Sequence, residues 1–364
     1  MVGDQSRSVG RGNRPPYTLG LFTNMYPAFE GDYRGIFIRQ MVTDLEARGV
    51  TVFIAAKQTP SPLGYIPFGA RSVRLARRRD LDLLQAEYIP HSSLIPALLG
   101  RRAVPLILKF HGDDARIFPF KNRVNMALTR AMIRRAAHIV TASEEIRQTL
   151  IGIGAPPELV TAIHSGVDTA FFTEGNRQEA RTCLGFPLNK TIFLFVGRLH
   201  PWKGVPELVE AARACPEHLF LFIGPGSPPP HPDNCIFFGA VPHREVRTWM
   251  NAADCLVLPT HTEAVPTSVM EAFACGIPAI TTTIGGCPEI VTDRKNGLMV
   301  PVGNARALAA AVKWMGSHEE ERMQMGRDAR ATVVQQYDHR IMIERLIGIH
   351  TTVIETGRRV SGAK

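Results

Sequence analysis

No cysteine occurs before Cys183, and the six present (Cys183, Cys215, Cys235, Cys255, Cys275, Cys287) form no Cys-x-x-Cys pair and have no histidine partners at zinc spacing. That pattern argues against a disulfide framework or a zinc ribbon and fits reduced, mostly core thiols in a cytosolic protein. The longest apolar runs, such as Thr191–Val196 and Leu219–Ile223, fall far short of the roughly 18–20 residues that span a bilayer. No internal repeat of about 20–50 residues is visible, which excludes a solenoid or propeller. The basic clusters carry no interleaved aromatics, so nucleic acid is not an expected partner. Residues 1–16 lack the apolar core of a secretory signal and are expected to be a loose tail.

What is present is the composition of a globular protein. The chain has 364 residues, 45% of them apolar and 21% charged, and at roughly 100–200 residues per domain it should hold two domains. Residues 1–170 contain 22 Lys and Arg against 14 Asp and Glu, whereas residues 171–364 contain 20 against 19. The basic excess belongs to the first half, and it can attract an anionic surface or substrate.

Short β-rich runs alternate with helical patterns. In the first half the runs are Tyr17–Phe22, Val50–Ala55, Leu83–Ile89, Val104–Phe110, His138–Thr141 and Val160–Ile163. In the second they are Thr191–Val196, Leu219–Ile223, Cys235–Phe238, Cys255–Leu258, Ala279–Thr282 and Gly297–Val300. Such alternation marks βαβ units on parallel sheets, here two of them. Ile38, Met41, Val42 and Leu45 recur at helical spacing before Gly49, which predicts a helix with one buried face. The polar stretch Ser165–Asn189 has no clean periodicity and reads as a linker. The expected division is a tail over 1–16, a domain over 17–165, a hinge over 166–189, a second domain over 190–337, and a C-terminal helix within 338–364.

Two loops carry the chemistry. The strand Thr191–Val196 runs into Gly197-Arg198-Leu199-His200-Pro201-Trp202-Lys203-Gly204, and ligands of open α/β sheets bind at such carboxyl ends. Arg198 offers a planar fork and Lys203 a point charge, which suits a diphosphate, and the flanking glycines permit close backbone approach. After Cys255–Leu258 comes a loop with Glu263, Val265, Pro266, Thr267 and Ser268, then Glu271 about a turn inside a helix ended by Gly276. The helix start offers amides to an anion, with Thr267 and Ser268 expected to cap it. The two carboxylates are suited to accepting hydrogen bonds from sugar or ribose hydroxyls.

These residues resemble the retaining nucleotide-sugar-dependent glycosyltransferases of family 4. The resemblance rests on Glu263-x7-Glu271, on Gly197-Arg198-x4-Lys203-Gly204, and on the run Gly276-Ile-Pro278, Gly285-Gly286-Cys-Pro288-Glu289 and Asn296-Gly297. Gly35-Ile-Phe-Ile-Arg39-Gln40, His111-Gly112-Asp113-Asp114 and Ser165-Gly166-Val167-Asp168 extend it into the first half, so that it spans Thr18 to about Ile349. It implies a GT-B fold, α/β with two facing Rossmann-like domains across a deep cleft, and a C-terminal helix returning to the first domain.

It also implies roles. Arg198 and Lys203 would hold the diphosphate, Glu271 the ribose, and Glu263 and His111 the transferring sugar. The amides of Val265 to Thr267 would lie near phosphate, the base over Gly224-Pro-Gly226 and beside Val241, and Gly35 would let the first helix approach the diphosphate. Ala264 departs from the family's usual glycine after the first glutamate, which bears on the fit of the donor sugar. The two cations would make a metal cofactor unnecessary, and Asp113-Asp114 reads as a loop-to-helix cap.

The implied function is transfer of a sugar with retention, from a nucleoside-diphosphate donor to a glycan or lipid-linked acceptor, in cell-surface polysaccharide or glycolipid assembly. A hydrolase or epimerase of the nucleotide sugar, or a binding protein without turnover, are the alternatives. Gly224-Pro-Gly226 followed by Pro228, Pro229 and Pro230 lacks the third glycine and the helix of a dinucleotide fingerprint, which argues against a nicotinamide enzyme. Arg71, Arg74, Arg77, Arg78 and Arg79, with Arg123, Arg130 and Arg134 opposite Val124, Leu128, Ala131 and Met132 on a helical wheel, mark an amphipathic basic face. That face would meet anionic lipid at the inner side of the membrane.

Overall fold

The computed structural model describes residues 17–27, 35–59 and 61–362. The expected tail over 1–16 lies outside them. Among the described residues, twelve parallel strands make two sheets. The first contains β1 (Thr18–Thr23), β2 (Thr51–Ala56), β3 (Leu83–Glu87), β4 (Leu106–Phe110), β5 (His138–Thr141) and β6 (Val160–Ala162), in the order β2-β1-β3-β4-β5-β6. The second contains β7 (Ile192–Val196), β8 (Leu219–Ile223), β9 (Cys235–Phe237), β10 (Cys255–Leu258), β11 (Ala279–Thr282) and β12 (Gly297–Val300), in the order β12-β11-β10-β7-β8-β9. Helices cover both faces of each sheet, which is why the strands read as continuous apolar runs.

Alternation along β4 sorts the first core. Leu106, Leu108 and Phe110 face one apolar cluster, and Ile107 faces the other. Ile38, Met41, Val42 and Leu45 of the helix Ile36–Glu46 fill that second cluster at the spacing read from sequence. The C-terminal helix, His339–Gly362, joins them there through Met342, Ile343, Leu346, Ile347, Val353 and Ile354. The chain therefore crosses from the first sheet to the second and returns. Val167 pairs with Asp338 where the crossing segments meet.

The stretch read as linker holds a helix, Arg177–Leu184, capped by the Asn176 side chain, which accepts from the amides of Gln178 and Glu179. Its buried face uses Ala180 and Arg181 instead of an apolar stripe, so hydrophobic periodicity could not signal it. The Arg181 guanidinium donates to Asp254 at 2.5 Å and to the Ala252, Leu188 and Lys190 carbonyls, which fastens this helix to the second domain. Five of the six cysteines are buried, Cys183 is exposed, and none is bridged.

Candidate active site

In the second domain the cationic loop follows β7. The Gly197 amide donates to Ile223 O and the Leu199 amide to Pro225 O, which lays this loop against the one after β8. Gly224, at φ 144°, has no room for a side chain: a Cβ there would collide with the Gly197 carbonyl oxygen. A Cβ at Gly226 would lie 2.7 Å from Leu199 Cβ. The close approach that these glycines permit is thus loop on loop. Val241 is half-buried against the second-domain core, two residues past Gly239, whose carbonyl accepts from the Gly224 amide.

The Arg198 side chain is exposed and has no hydrogen bond or ion pair among the described residues. Lys203 Nζ donates to Glu263 Oε2 at 2.5 Å, with the carboxylate only 14% exposed. Glu271 stands in the helix Thr267–Ala274, and its Oε1 accepts from His243 Nε2 at 2.9 Å. That hydrogen bond holds the His243 imidazole above its ordinary pKa against the opposing cost of burial. No side chain caps the helix, contrary to the expectation for Thr267 and Ser268. The Thr267 amide donates to Val265 O and Pro266 has no N–H, so of Val265 to Thr267 only Val265 keeps an amide for an anion.

The first domain supplies the facing wall. Gly35, at φ 68°, opens the helix Ile36–Glu46, and a Cβ there would strike the Met25 carbonyl oxygen. Phe37 follows, its ring 5.2 Å from that of His111, and Tyr88 stacks on His111 at 4.3 Å. Tyr88 itself sits at φ 65°, a left-handed conformation that costs an aromatic residue on the order of 1–2 kcal/mol. Asp114, buried, accepts from the amides of Ile89, His111 and Gly112 at 2.8–3.1 Å and so ties the exits of β3 and β4 together. It organises the His111 loop, and burial pushes its carboxyl pKa up despite these bonds and His111.

Beneath the loop lies Glu87, fully buried, whose Oε2 accepts from His111 Nε2 at 2.5 Å. Burial raises its pKa, but Lys109 at 3.9 Å and hydrogen bonds from His111 and Gln85 outweigh it, holding the carboxyl below the ordinary value.

The two walls touch. A Cβ at Gly112 would lie 3.1 Å from Ala264 Cβ, and Ala264 and Val265 pack against the first-domain core. The methyl of Ala264 therefore fills space against Gly112. Arg116 reaches across to donate to Glu263 O at 3.1 Å. Glu289 reaches the other way, accepting from the amides of Glu144 and Glu145 at 2.8 and 3.1 Å and from His164 Nε2 at 2.7 Å. The His111–Gly112 loop, with Phe37 two residues past Gly35 beside His111, thus meets the Glu263–Val265 loop and its partner Lys203 where the domains touch, with Arg198, Gly197, Gly224 and Gly226 on the stacked loops of the second domain. Glu87, Tyr88, Arg116 and His243 were not singled out from the sequence. The one available signal was Gln85 and Glu87 alternating as polar residues in an apolar strand.

Among the described residues, no three His, Cys, Asp or Glu side chains group to hold a metal ion.

A family model described as Glycosyltransferase Family 4 matches residues 35–171, and one described as Glycosyl transferases group 1 matches residues 190–318. The chain belongs to the family 4 type glycosyltransferases. A Bacillus subtilis (strain 168) protein named for a glycosyltransferase role in teichuronic acid biosynthesis, TuaC, is 28% identical over 274 residues, which are 73% of this chain and 70% of that one. D-inositol 3-phosphate glycosyltransferase of Mycobacterium tuberculosis (strain H37Ra) is 31% identical over 177 residues, covering 44% of this chain and 37% of that protein. Among solved structures, sucrose-phosphate synthase from Thermosynechococcus elongatus superposes with a TM-score of 0.79 at 18% identity, covering 96% of this glycosyltransferase and all of that chain. Anabaena HepE in complex with UDP-glucose superposes at 0.72 and 19% identity, covering 92% of this chain and all of that one. These structures establish the GT-B fold: two parallel-sheet domains facing across a cleft.

Proposed function

We propose that this glycosyltransferase moves a sugar, with retention of anomeric configuration, from a nucleoside diphosphate to an acceptor hydroxyl in cell-surface polysaccharide or glycolipid assembly. The observation that carries the reading is the Lys203–Glu263 pair set opposite the His111–Gly112 loop, with Arg198 unpaired beside it. Arg198 and Lys203 neutralise the departing diphosphate without a divalent metal, Glu271 accepts from the ribose hydroxyls, and Glu263 orients Lys203 and contacts the sugar. His111 holds the sugar from the other wall. With its Nε2 engaged by Glu87, Nδ1 is the ring nitrogen left for a hydroxyl.

Retention then needs no protein nucleophile. The diphosphate leaves, the acceptor attacks on the same face through a short-lived oxocarbenium-like ion pair, and the protein contributes fixed charge and positioning. The HepE complex with UDP-glucose and the name of the Bacillus subtilis relative support this donor class and pathway. Screening UDP-, GDP- and ADP-sugars for thermal stabilisation tests it, since ligand at about 100 times its Kd adds roughly 2.7 kcal/mol. A product assay with and without acceptor separates transfer from hydrolysis or epimerisation. No stabilisation by any nucleotide sugar would reject the reading.

The acceptor side lies on an apolar and basic surface of the first domain, proposed to rest on anionic lipid. No helix among the described residues is long and apolar enough to cross a membrane. Leu63 and Ile66 are each 73% exposed, and Val124, expected on the core side of its helix, is 74% exposed because it lies in the first turn, at the domain edge. The ring pairs Tyr65–His91 and His91–Phe118, with centroids 6.0 and 5.9 Å apart, join the two groups into one patch.

Arg74 in the last turn of the helix Tyr65–Ala76, and Arg77 and Arg79 just past its end, stand exposed on the same domain, whereas Arg78 is taken up by Asp80 and the Phe53 ring. Each basic residue near an anionic membrane adds roughly 1 kcal/mol, fading within a Debye length of about 8 Å. Co-sedimentation should show binding to vesicles with anionic lipid and not to neutral ones, reversed by salt. Replacing Arg74, Arg77 and Arg79 with Ser should weaken it several-fold and spare nucleotide binding; equal recovery on both vesicle types would reject membrane docking.

A further inference from the structure

A buried polar chain runs from the C-terminal helix to His111, and its direction is fixed by chemistry. A carboxylate only accepts hydrogen bonds, so the Gln85 side-chain amide must turn its NH2 toward Glu87 Oε1. Gln85 Oε1 then faces His350 and accepts from its Nε2–H at 2.7 Å. That leaves the lone pair of His350 Nδ1 to accept from the Tyr17 hydroxyl at 2.6 Å. At the other end Glu87 Oε2 accepts from His111 Nε2–H. Gln85, Glu87 and His350 are fully buried, and Tyr88 and Phe37 hold the His111 ring from its sides. An acidic residue at position 87 is thus the one type that serves two facing donors.

We infer that Glu87 is a positioning residue that locks His111 as its Nε2–H tautomer and aims the Nδ1 lone pair into the cleft, with the C-terminal helix bracing it through His350 and Gln85. In that tautomer Nδ1 acts toward the sugar as an acceptor, so it recognises a substrate hydroxyl that donates. This deepens the proposed function and rests on His111 facing the donor sugar.

In Glu87→Gln, a carboxamide can satisfy Gln85 or His111 but not both without reversing the chain. The double exchange Gln85→Glu with Glu87→Gln restores each donor and acceptor pairing along the chain from Tyr17 through His350 to His111, at unchanged composition. The test is 15N-histidine NMR on the full chain, with acceptor-free hydrolysis of the nucleotide sugar that stabilises most in the screen of UDP-, GDP- and ADP-sugars. Glu87→Gln should turn His111 from a single Nε2–H tautomer into a mixture and lower kcat about 10–100-fold, with KM and nucleoside-diphosphate Kd within twofold. The exchange should restore the tautomer and at least tenfold of the lost kcat.

An unchanged tautomer or kcat in Glu87→Gln, or a mixture persisting in the exchange, overturns the inference. Glu87→Asp, which keeps the acceptor and shortens its reach, carries the same readings if Glu87→Gln does not fold. Arg198→Ala run in parallel keeps the two ideas apart: wild-type nucleotide affinity in that variant sinks the donor-site reading, while the tautomer still decides the role of Glu87.

Discussion

Single side chains divide the work at the donor site, and their partners set what each substitution should do. Arg198 is exposed and unpaired among the described residues, so Arg198→Ala should leave the fold intact and lower nucleoside-diphosphate affinity about 10–100-fold, the worth of a charged hydrogen bond. Lys203→Ala should cost more, because it also strands the Glu263 carboxylate next to an anionic ligand. Calorimetry on both variants checks the order. Glu271 is held by His243 and Glu263 by Lys203, which separates their roles. Glu271→Gln should therefore weaken binding of the diphosphate itself, whereas Glu263→Gln should spare it and reduce turnover with the complete donor. Equal loss of diphosphate affinity in both would show that ribose and sugar are not divided between them.

Among the elements, the C-terminal helix is the one whose role reaches furthest from its place in the chain. Its apolar stripe closes the first-domain core, and His350 inserts a polar group into that core. Burial pushes the His350 pKa down to about 3, with Lys109 adding to the shift and Glu87 opposing it. A folded-state pKa below the ordinary 6.5 means that the unfolded chain takes up a proton that the folded one refuses. The stability is complete above pH 6.5 and is lost on acidification toward the folded value, at roughly 1.4 kcal/mol per pH unit. Urea titrations between pH 6.5 and 4.5 should show His350→Gln with a shallower decline than the wild type by about that slope. Parallel slopes would mean that His350 does not stay neutral in the fold.

Over the whole molecule, closure of the cleft depends on a few contacts between domains. The Glu289 carboxylate sits on the N-terminal amides of the helix Glu144–Gly152, where a negative charge is favoured, and His164 donates to it from the crossing segment. Burial raises its pKa, but these hydrogen bonds win and hold it below the ordinary carboxylate value, so the contact is present above about pH 4.5 and weakens as acid protonates it. Glu289→Gln should accelerate hydrogen exchange at the Glu144 and Glu145 amides by about 10–100-fold without changing the melting of either core. Unaltered exchange at those amides would show that the domains are held by other contacts, such as Arg116 on the Glu263 carbonyl.

Sequence alone determined the strands, because buried parallel strands must be apolar on both faces: His138–Thr141, Leu219–Ile223, Cys255–Leu258, Ala279–Thr282 and Gly297–Val300 coincide with their expected limits. It also determined the cationic loop and the paired glutamates, since both are contiguous motifs whose residue types follow from the ligand they suit. Contacts between distant segments were decided by tertiary structure. Arg181 as the buried face of a short helix, Glu87 under His111, and Tyr17 joined to His350 across the length of the chain leave no periodicity. The glycines at 224 and 226 read as room for a nucleotide, and folding spends that room on the neighbouring loop. A local pattern records which face of an element is buried; which partner meets that face is settled when the sheets and helices pack, and the polar groups then take the orientation that leaves each donor an acceptor.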